Sequence, residues 1–284
     1  MSSNLLRRIA VAVVGIPAAL GLVYLGGWPL AGAVSVLAGV GAWELYRLAA
    51  SSGLQPLVWL GVIISAGIPL AAMSVLSGGL GSRWVVLGAA GGLMLVMAAV
   101  MRLRSPTQRP LAAIAVTVFG AAFAGGLPSF ALYLRHADPS WASWTGTAVV
   151  FLPIVLVWIG DICAMAAGAA FGGRRLAPVL SPRKTWAGAV ASIASAVVVA
   201  PLYGTVALQP AGVTVSVGGL VVLGALISVA GQAGDVAESL LKREAGVKDS
   251  GSFFSGHGGV LDRLDALYWA LPTAVMLFSA VDVV

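Results

Sequence analysis

Apolar stretches long enough to cross a bilayer recur nine times in this chain, over roughly residues 9–26, 28–49, 57–77, 84–101, 111–134, 147–170, 186–207, 213–234 and 266–283. A spanning helix needs about 20 such residues, because the hydrocarbon core is about 30 Å thick and each residue adds about 1.5 Å. No water is present at that depth to satisfy backbone N–H and C=O groups, so each stretch must close its own hydrogen bonds as a helix. The fold class that follows is all-α: a polytopic transmembrane helical bundle of about nine spans. Composition agrees, since 60% of the residues are hydrophobic and only 9% charged, against roughly a quarter charged in a soluble domain. The first stretch follows Arg7 and Arg8 and has the outline of a signal peptide. Eight further stretches make a retained first span the better reading.

Charge placement sets the orientation. With a cytoplasmic N-terminus and nine crossings, the inner side receives Arg7, Arg8, Arg47, Arg102, Arg104, Arg109, Arg174, Arg175, Arg183, Lys184, Lys242, Arg243, Lys248 and Arg263. The outer side receives Arg83 and Arg135, so the split is 14 against 2, the bias that positive-inside topology demands. Two parts follow: spans in 1–145 that pack and face lipid, and spans in 146–284 that carry the polar connections. The net charge of +6 is scattered between apolar stretches, which points away from nucleic acid and toward anionic headgroups and phosphorylated substrates. The lone Cys163 allows neither an internal disulfide nor a cysteine-based zinc site. Glycines four apart, Gly88–Gly92 and Gly168–Gly172, are candidate close crossings of helices.

Most of the remaining polar residues fall on two connections that this topology places at the same membrane face. The first runs from Gly172 through Arg174 and Arg175 to Ser181-Pro182-Arg183-Lys184-Thr185-Trp186. It offers two hydroxyls and an ammonium just ahead of a span, whose N-terminal amides favour an anion and which Thr185 can cap. The second, Asp235 to Asp265, holds four aspartates, two glutamates, two lysines, two arginines and His257. Asp235, Glu238, Ser239 and Lys242 have the spacing that aligns them on one helix face. Charge at membrane depth costs about 2.5–3.5 kcal/mol per group, so Asp235 and Glu238 should face a wet cavity, a metal ion or a basic partner. The alternative is an Asp–Lys pair that packs two helices. Around His257, Gly256, Gly258 and Gly259 let backbone amides approach an anion. Asp262 and Asp265 then lie three apart at the start of the last span, and Asp161 is expected to be buried in the sixth.

Carboxylates interleaved with lysines, arginines and glycines suit phosphoryl or nucleotidyl transfer. Mg²⁺ takes one or two carboxylates plus substrate phosphates, and cations neutralise charge developing on a polyphosphate. No Walker A sequence is present. The two histidines, His136 and His257, fall on opposite sides of the membrane in this topology, so a zinc hydrolase finds no support.

The run Ser239-x-x-Lys242-Arg243, Lys248-Asp249, His257-Gly258-Gly259-x-x-Asp262-Arg263-x-Asp265 resembles the signature of phosphatidate cytidylyltransferases. Ser181-Pro182-x-Lys184-Thr185-Trp186-x-Gly188, and Asp161 ahead of a Gly-rich stretch, are similar to that family as well. The likeness is strong over roughly 155–270. Upstream, only span count and apolar character agree. Ala187 stands where the family usually has glutamate, Ser255 where it has proline, and Met165 lies near a common tyrosine. The resemblance implies transfer of the cytidylyl group of CTP to phosphatidic acid, giving CDP-diacylglycerol and pyrophosphate. It implies Mg²⁺ held by Asp235 and Asp262, with Asp265 and Asp249 in support or on a second, monovalent cation. Lys242, Arg243, Lys248 and Arg263 would hold phosphates, with Ser239 beside them. Ser181, Lys184, Thr185 and Asp161 would meet the triphosphate or the lipid phosphate. His257, Gly258 and Gly259 would shape the nucleotide pocket. A bacterial inner-membrane protein with a cytoplasmic active site is expected, and a homodimer is compatible with the sequence. Rival readings are a CTP-dependent enzyme acting on an isoprenoid or ether lipid, a transporter, and a catalytically silent homologue.

Overall fold

The computed structural model describes residues 15, 17–251, 253, 258–281 and 283. After helical residues 17–25 come α1 (Gly27–Ser51), α2 (Val58–Leu76), α3 (Ser82–Leu103) and α4 (Pro110–Arg135), the last with a π-helical turn at Ala122–Gly126. Then follow α5 (Ser143–Phe171), a hairpin of β1 (Arg175–Ala177) and β2 (Ser181–Thr185), α6 (Trp186–Leu208), α7 (Val217–Glu244), the single turn α8 (Leu261–Leu264) and α9 (Leu267–Ala280). Among the described residues, the seven helices α1 to α7 are long and apolar enough to cross a membrane. Of the first expected span, residues 15 and 17–26 are described, 17–25 of them as helix, and the remainder lies outside the described residues. The ninth is helical, but α9 has 14 residues and is therefore about 21 Å long, shorter than the hydrocarbon core. The helical bundle is as expected; the hairpin is not.

The chain forms two compact units, one made of the residues up to Tyr133 together with Leu241–Arg263, the other of Leu134–Leu240 together with Leu264–Val284. In the first unit, Tyr46 of α1 is fully buried and donates its hydroxyl to the Thr117 carbonyl of α4 at 2.7 Å. Its ring lies against Gly61 of α2 and Gly120 of α4, where a Cβ on either glycine would overlap it. Thr117 in turn accepts from the Leu57 amide at 2.9 Å, which ties the entry of α2 to α4. Tyr46→Phe keeps the ring and loses one hydrogen bond, so it should lower stability by about 1 kcal/mol. Gly120→Ala should cost more because it drives a methyl into the ring. Melting of the detergent-solubilised protein reads both.

In the second unit, Gly188, Ser192, Ala196 and Ala200 recur every four residues along α6 and are all buried. This is the small-residue seam through which membrane helices approach closely. Gly188 faces the Ala164 carbonyl of α5, Gly224 of α7 faces the Ala196 carbonyl, and Ser192 and Ser228 share a hydrogen bond at 3.1 Å. The first glycine pair singled out from the sequence is not such a crossing, since a Cβ at Gly88 or Gly92 would meet nothing within 4 Å. Of the second, Gly168 comes close to the entry of α6, where a Cβ would lie 3.0 Å from Thr185 Oγ1, while Gly172 ends α5 with φ 59°. Spacing alone does not say which face of a helix has a neighbour.

Candidate active site

The end of α5 is turned by two glycines in the left-handed region, Gly172 (φ 59°) and Gly173 (φ 89°), a conformation that costs glycine nothing. The chain then folds back as the hairpin, with Arg175 opposite Thr185 and Ala177 opposite Ser181. Thr185 ends β2 and caps α6, its Oγ1 accepting from the Gly188 amide at 3.1 Å. The preceding residue, Lys184, forms an ion pair with Asp235 of α7. Asp161, Arg183, Lys184, Thr185, Gln232 and Asp235 all line one cavity of about 410 Å³ in the second unit. Asp161 was expected to be buried; it is exposed and opens into this cavity. Two carboxylates with an ammonium on one otherwise largely apolar cavity form a place where an anion and a cation can be bound together. Glu238 and Ser239 lie one turn further along α7 and are buried, at 1% and 8% exposure.

A second polar cluster forms within the first unit, around Asp262. Its Oδ1 accepts from Lys242 Nζ at 2.7 Å. Its Oδ2 accepts from the Ser250 amide at 2.8 Å, the Ser250 hydroxyl at 2.9 Å and the Gly259 amide at 2.8 Å. Gly258 stands at φ 84°, and a Cβ there would strike the Asp262 carboxylate. Burial pushes the Asp262 carboxyl up, but the hydrogen bonds from Lys242, Gly259 and Ser250, with the ammonium charge, outweigh it and hold the group below the ordinary carboxylate range. A depressed folded-state value means that this stabilisation is complete above the unfolded value and is lost as pH falls through the folded one. Acid should therefore loosen this turn only below about pH 4, readable as faster amide exchange at Ser250 and Gly259.

The other expected residues are placed as follows. Arg243 donates to the Val247 carbonyl at 3.1 Å, and Arg243, Lys248, Asp249 and Arg263 are exposed. Ser181 is half-buried at the start of β2. Asp265 accepts from the Ala266 amide at 2.7 Å. His257 lies outside the described residues. Among the described residues, no three His, Cys, Asp or Glu side chains gather as a metal site. The pair Asp161 and Asp235 does fit a divalent cation that draws its remaining ligands from substrate phosphates, since two hard carboxylates share one cavity.

Glu44 of α1 was not singled out from the sequence and is the most deeply buried acid of the chain's described residues, at 0% exposure. Its Oε1 accepts from the Val260 amide at 3.1 Å, and its Oε2 from the Leu261 amide at 3.0 Å and the Ser250 hydroxyl at 3.1 Å. A signal existed: it is the only acidic residue in the 25 residues of α1, where a carboxylate requires partners.

The profile of the cytidylyltransferase family matches residues 6–281. A phosphatidate cytidylyltransferase of Synechocystis is 31% identical over 287 residues, covering 94% of both chains. The phosphatidate cytidylyltransferase of Brucella suis is 42% identical over 159 residues, 56% of this chain and 55% of that protein, so this match spans about half the length of that relative. The Bacillus subtilis enzyme of the same name is 37% identical over 134 residues, 47% of this chain and 48% of that protein.

Proposed function

The chain belongs to the cytidylyltransferase family, and on that premise we propose that it transfers the cytidylyl group of CTP to phosphatidic acid. A phosphate oxygen of the lipid attacks the α-phosphorus of CTP, the bond from that phosphorus to the β-phosphate bridging oxygen breaks, and pyrophosphate leaves. The products are CDP-diacylglycerol and pyrophosphate. No protein nucleophile is needed, so the chain contributes positioning and charge neutralisation. The observation that supports this reading is the cavity shared by Asp161, Lys184, Thr185 and Asp235, all four of them residues that the sequence motifs single out.

Mg²⁺ would be held by Asp235, with Asp161 on the same cavity, and Asp262 is the second carboxylate assigned to it, with Asp265 and Asp249 in support or on a monovalent ion. When bound, the ion would neutralise triphosphate charge and sharpen the α-phosphorus as an electrophile. Lys184 and Lys242 each neutralise an aspartate in this structure. Each ammonium can pass to a phosphate oxygen without leaving its carboxylate far behind, because lysine is a point charge on a flexible stem. The capped N-terminus of α6 presents amides to an anion. Arg243, Lys248 and Arg263 would bring further positive charge to the phosphates, with Ser239 on the α7 face beside them. His257, Gly258 and Gly259 would border the nucleotide.

We place the protein in a bacterial inner membrane with nine spans, a cytoplasmic N-terminus and the site facing the cytoplasm; the 14-to-2 distribution of lysine and arginine supports this. Glu44 near the C-terminal end of α1 meets Ser250, as that topology requires of two cytoplasmic positions. A homodimer is part of the same reading, and nucleic acid is not. The acceptor is tested by offering phosphatidic acid, an isoprenoid alcohol and an ether lipid together with CTP. Product separation by thin-layer chromatography should show CDP-diacylglycerol; a cytidylylated ether lipid or a phosphorylated isoprenoid as the main product would overturn the assignment.

A further inference from the structure

Glu44 is unusual for a membrane helix: a carboxylate with no exposed surface, the only acidic residue of α1. A buried carboxylate is tolerated only where donors surround it. All three of its donors come from one short segment more than 200 residues away, the Ser250 hydroxyl and the Val260 and Leu261 amides. The segment is shaped to admit it. A Cβ on Gly251 or Gly259 would run into the Glu44 carboxylate, and neither glycine has a positive φ, so close approach alone explains the missing side chain at Gly251. The same Ser250 hydroxyl lies 2.9 Å from Asp262 Oδ2 and 3.1 Å from Glu44 Oε2, so its single proton is shared between the two carboxylates and links them. Leu261, whose amide Glu44 holds, is the residue before Asp262.

We infer that Glu44 is a positioning residue for the nucleotide-handling turn. It holds Ser250 and the 260–261 backbone so that Asp262 and Lys242 stay in the arrangement the reaction uses. It touches no substrate and acts through Asp262. The inference rests on the cytidylyltransfer reading for its consequence, but the hold itself is independent of that reading.

The test uses the full-length protein in lipid nanodiscs, with Glu44→Ala, Glu44→Gln, Gly251→Ala and the Glu44→Ala/Gly251→Ala double variant. Misplacing a phosphate-handling group costs about 10- to 100-fold. Glu44→Ala should lower kcat/KM for CTP by that factor while KM for phosphatidic acid changes less than about twofold. Glu44→Gln keeps one acceptor but turns an amide N–H toward the other donors, so it should fall between alanine and wild type. Hydrogen–deuterium exchange should rise in peptides covering 250–262 in both Glu44 variants and stay unchanged in α5 and α6. Gly251→Ala should be damaging in the wild-type background and nearly neutral once Glu44 is alanine, because the collision partner is then gone.

Unchanged exchange over 250–262 in Glu44→Gln, or an equal penalty for Gly251→Ala in both backgrounds, overturns the inference. So does a rise in KM for phosphatidic acid that accounts for the loss while kcat and KM for CTP stay at wild-type values. If the wild type makes no CDP-diacylglycerol, the functional reading falls, while the exchange and Gly251 results still decide whether Glu44 holds the turn.

Discussion

Asp262→Asn is expected to lower the rate of CDP-diacylglycerol formation by roughly 10²- to 10³-fold, the usual cost of removing one preorganised charge-handling group. The reason lies in the donor count. One oxygen takes the Lys242 ammonium and the other takes two amides and a hydroxyl. An asparagine has only one acceptor oxygen, so its NH₂ must face either Lys242 or the Ser250–Gly259 donors. Each orientation leaves a donor against a donor. The turn should also lose about 1–3 kcal/mol for unpaired buried groups, visible as a lower melting temperature. Near-normal turnover in a folded Asp262→Asn protein would remove Asp262 from the metal and phosphate machinery.

Lys184→Ala is the second large effect, expected to cost about 100-fold in kcat/KM for CTP. It strips the ammonium from a cavity that retains the carboxylates of Asp161 and Asp235. Asp235 left without its ion-pair partner, beside Asp161, repels a triphosphate, with only Arg183 of the cavity's cations remaining. Lys184→Arg keeps the charge and should recover part of the loss. It should not recover all, because the planar guanidinium is bulkier and cannot rotate its donors as a point charge does. Raising Mg²⁺ should rescue Lys184→Ala in part, since a cation can take over screening of the same carboxylates. Steady-state kinetics across Mg²⁺ concentrations read all three. An alanine variant with unchanged kcat/KM would show that the pair merely packs α7 against the start of α6.

The membrane helices were legible because the bilayer imposes one structure on any apolar run of sufficient length. Helices α2 to α6 follow such runs closely, whereas α7 continues past its apolar run to Glu244. The hairpin was not legible: β1 has three residues, β2 reads Ser-Pro-Arg-Lys-Thr, and neither carries an apolar alternation. Its strands are set by the glycine turn at the end of α5 and by the cap at Thr185; the cap was expected, but the reversal at Gly172 and Gly173 becomes visible only when the chain is folded. Asp235 with a basic partner was foreseeable from the cost of a charge near membrane depth, and Lys184 supplies that partner. The same reasoning, applied to α1, would have found Glu44. Glu44 stands apart from the polar clusters in sequence, and its donors lie more than 200 residues away. The glycine pair in α3 shows the converse error, a motif read as an interface where no neighbour stands. Leu241–Arg263 groups with the N-terminal unit rather than with its neighbours in sequence, and the hydrogen bonds from Ser250, Val260 and Leu261 to Glu44 tie it there, a long-range link that no local pattern announces.

The most direct measurement follows the two ends of the CTP triphosphate separately, using purified protein, phosphatidic acid and Mg²⁺. Label at the α-phosphorus should enter the organic phase with CDP-diacylglycerol, and label at the γ-phosphorus should appear in pyrophosphate in equal amount. Label from the γ-phosphorus entering lipid, or no α-label entering lipid at all, would contradict cytidylyl transfer to phosphatidic acid.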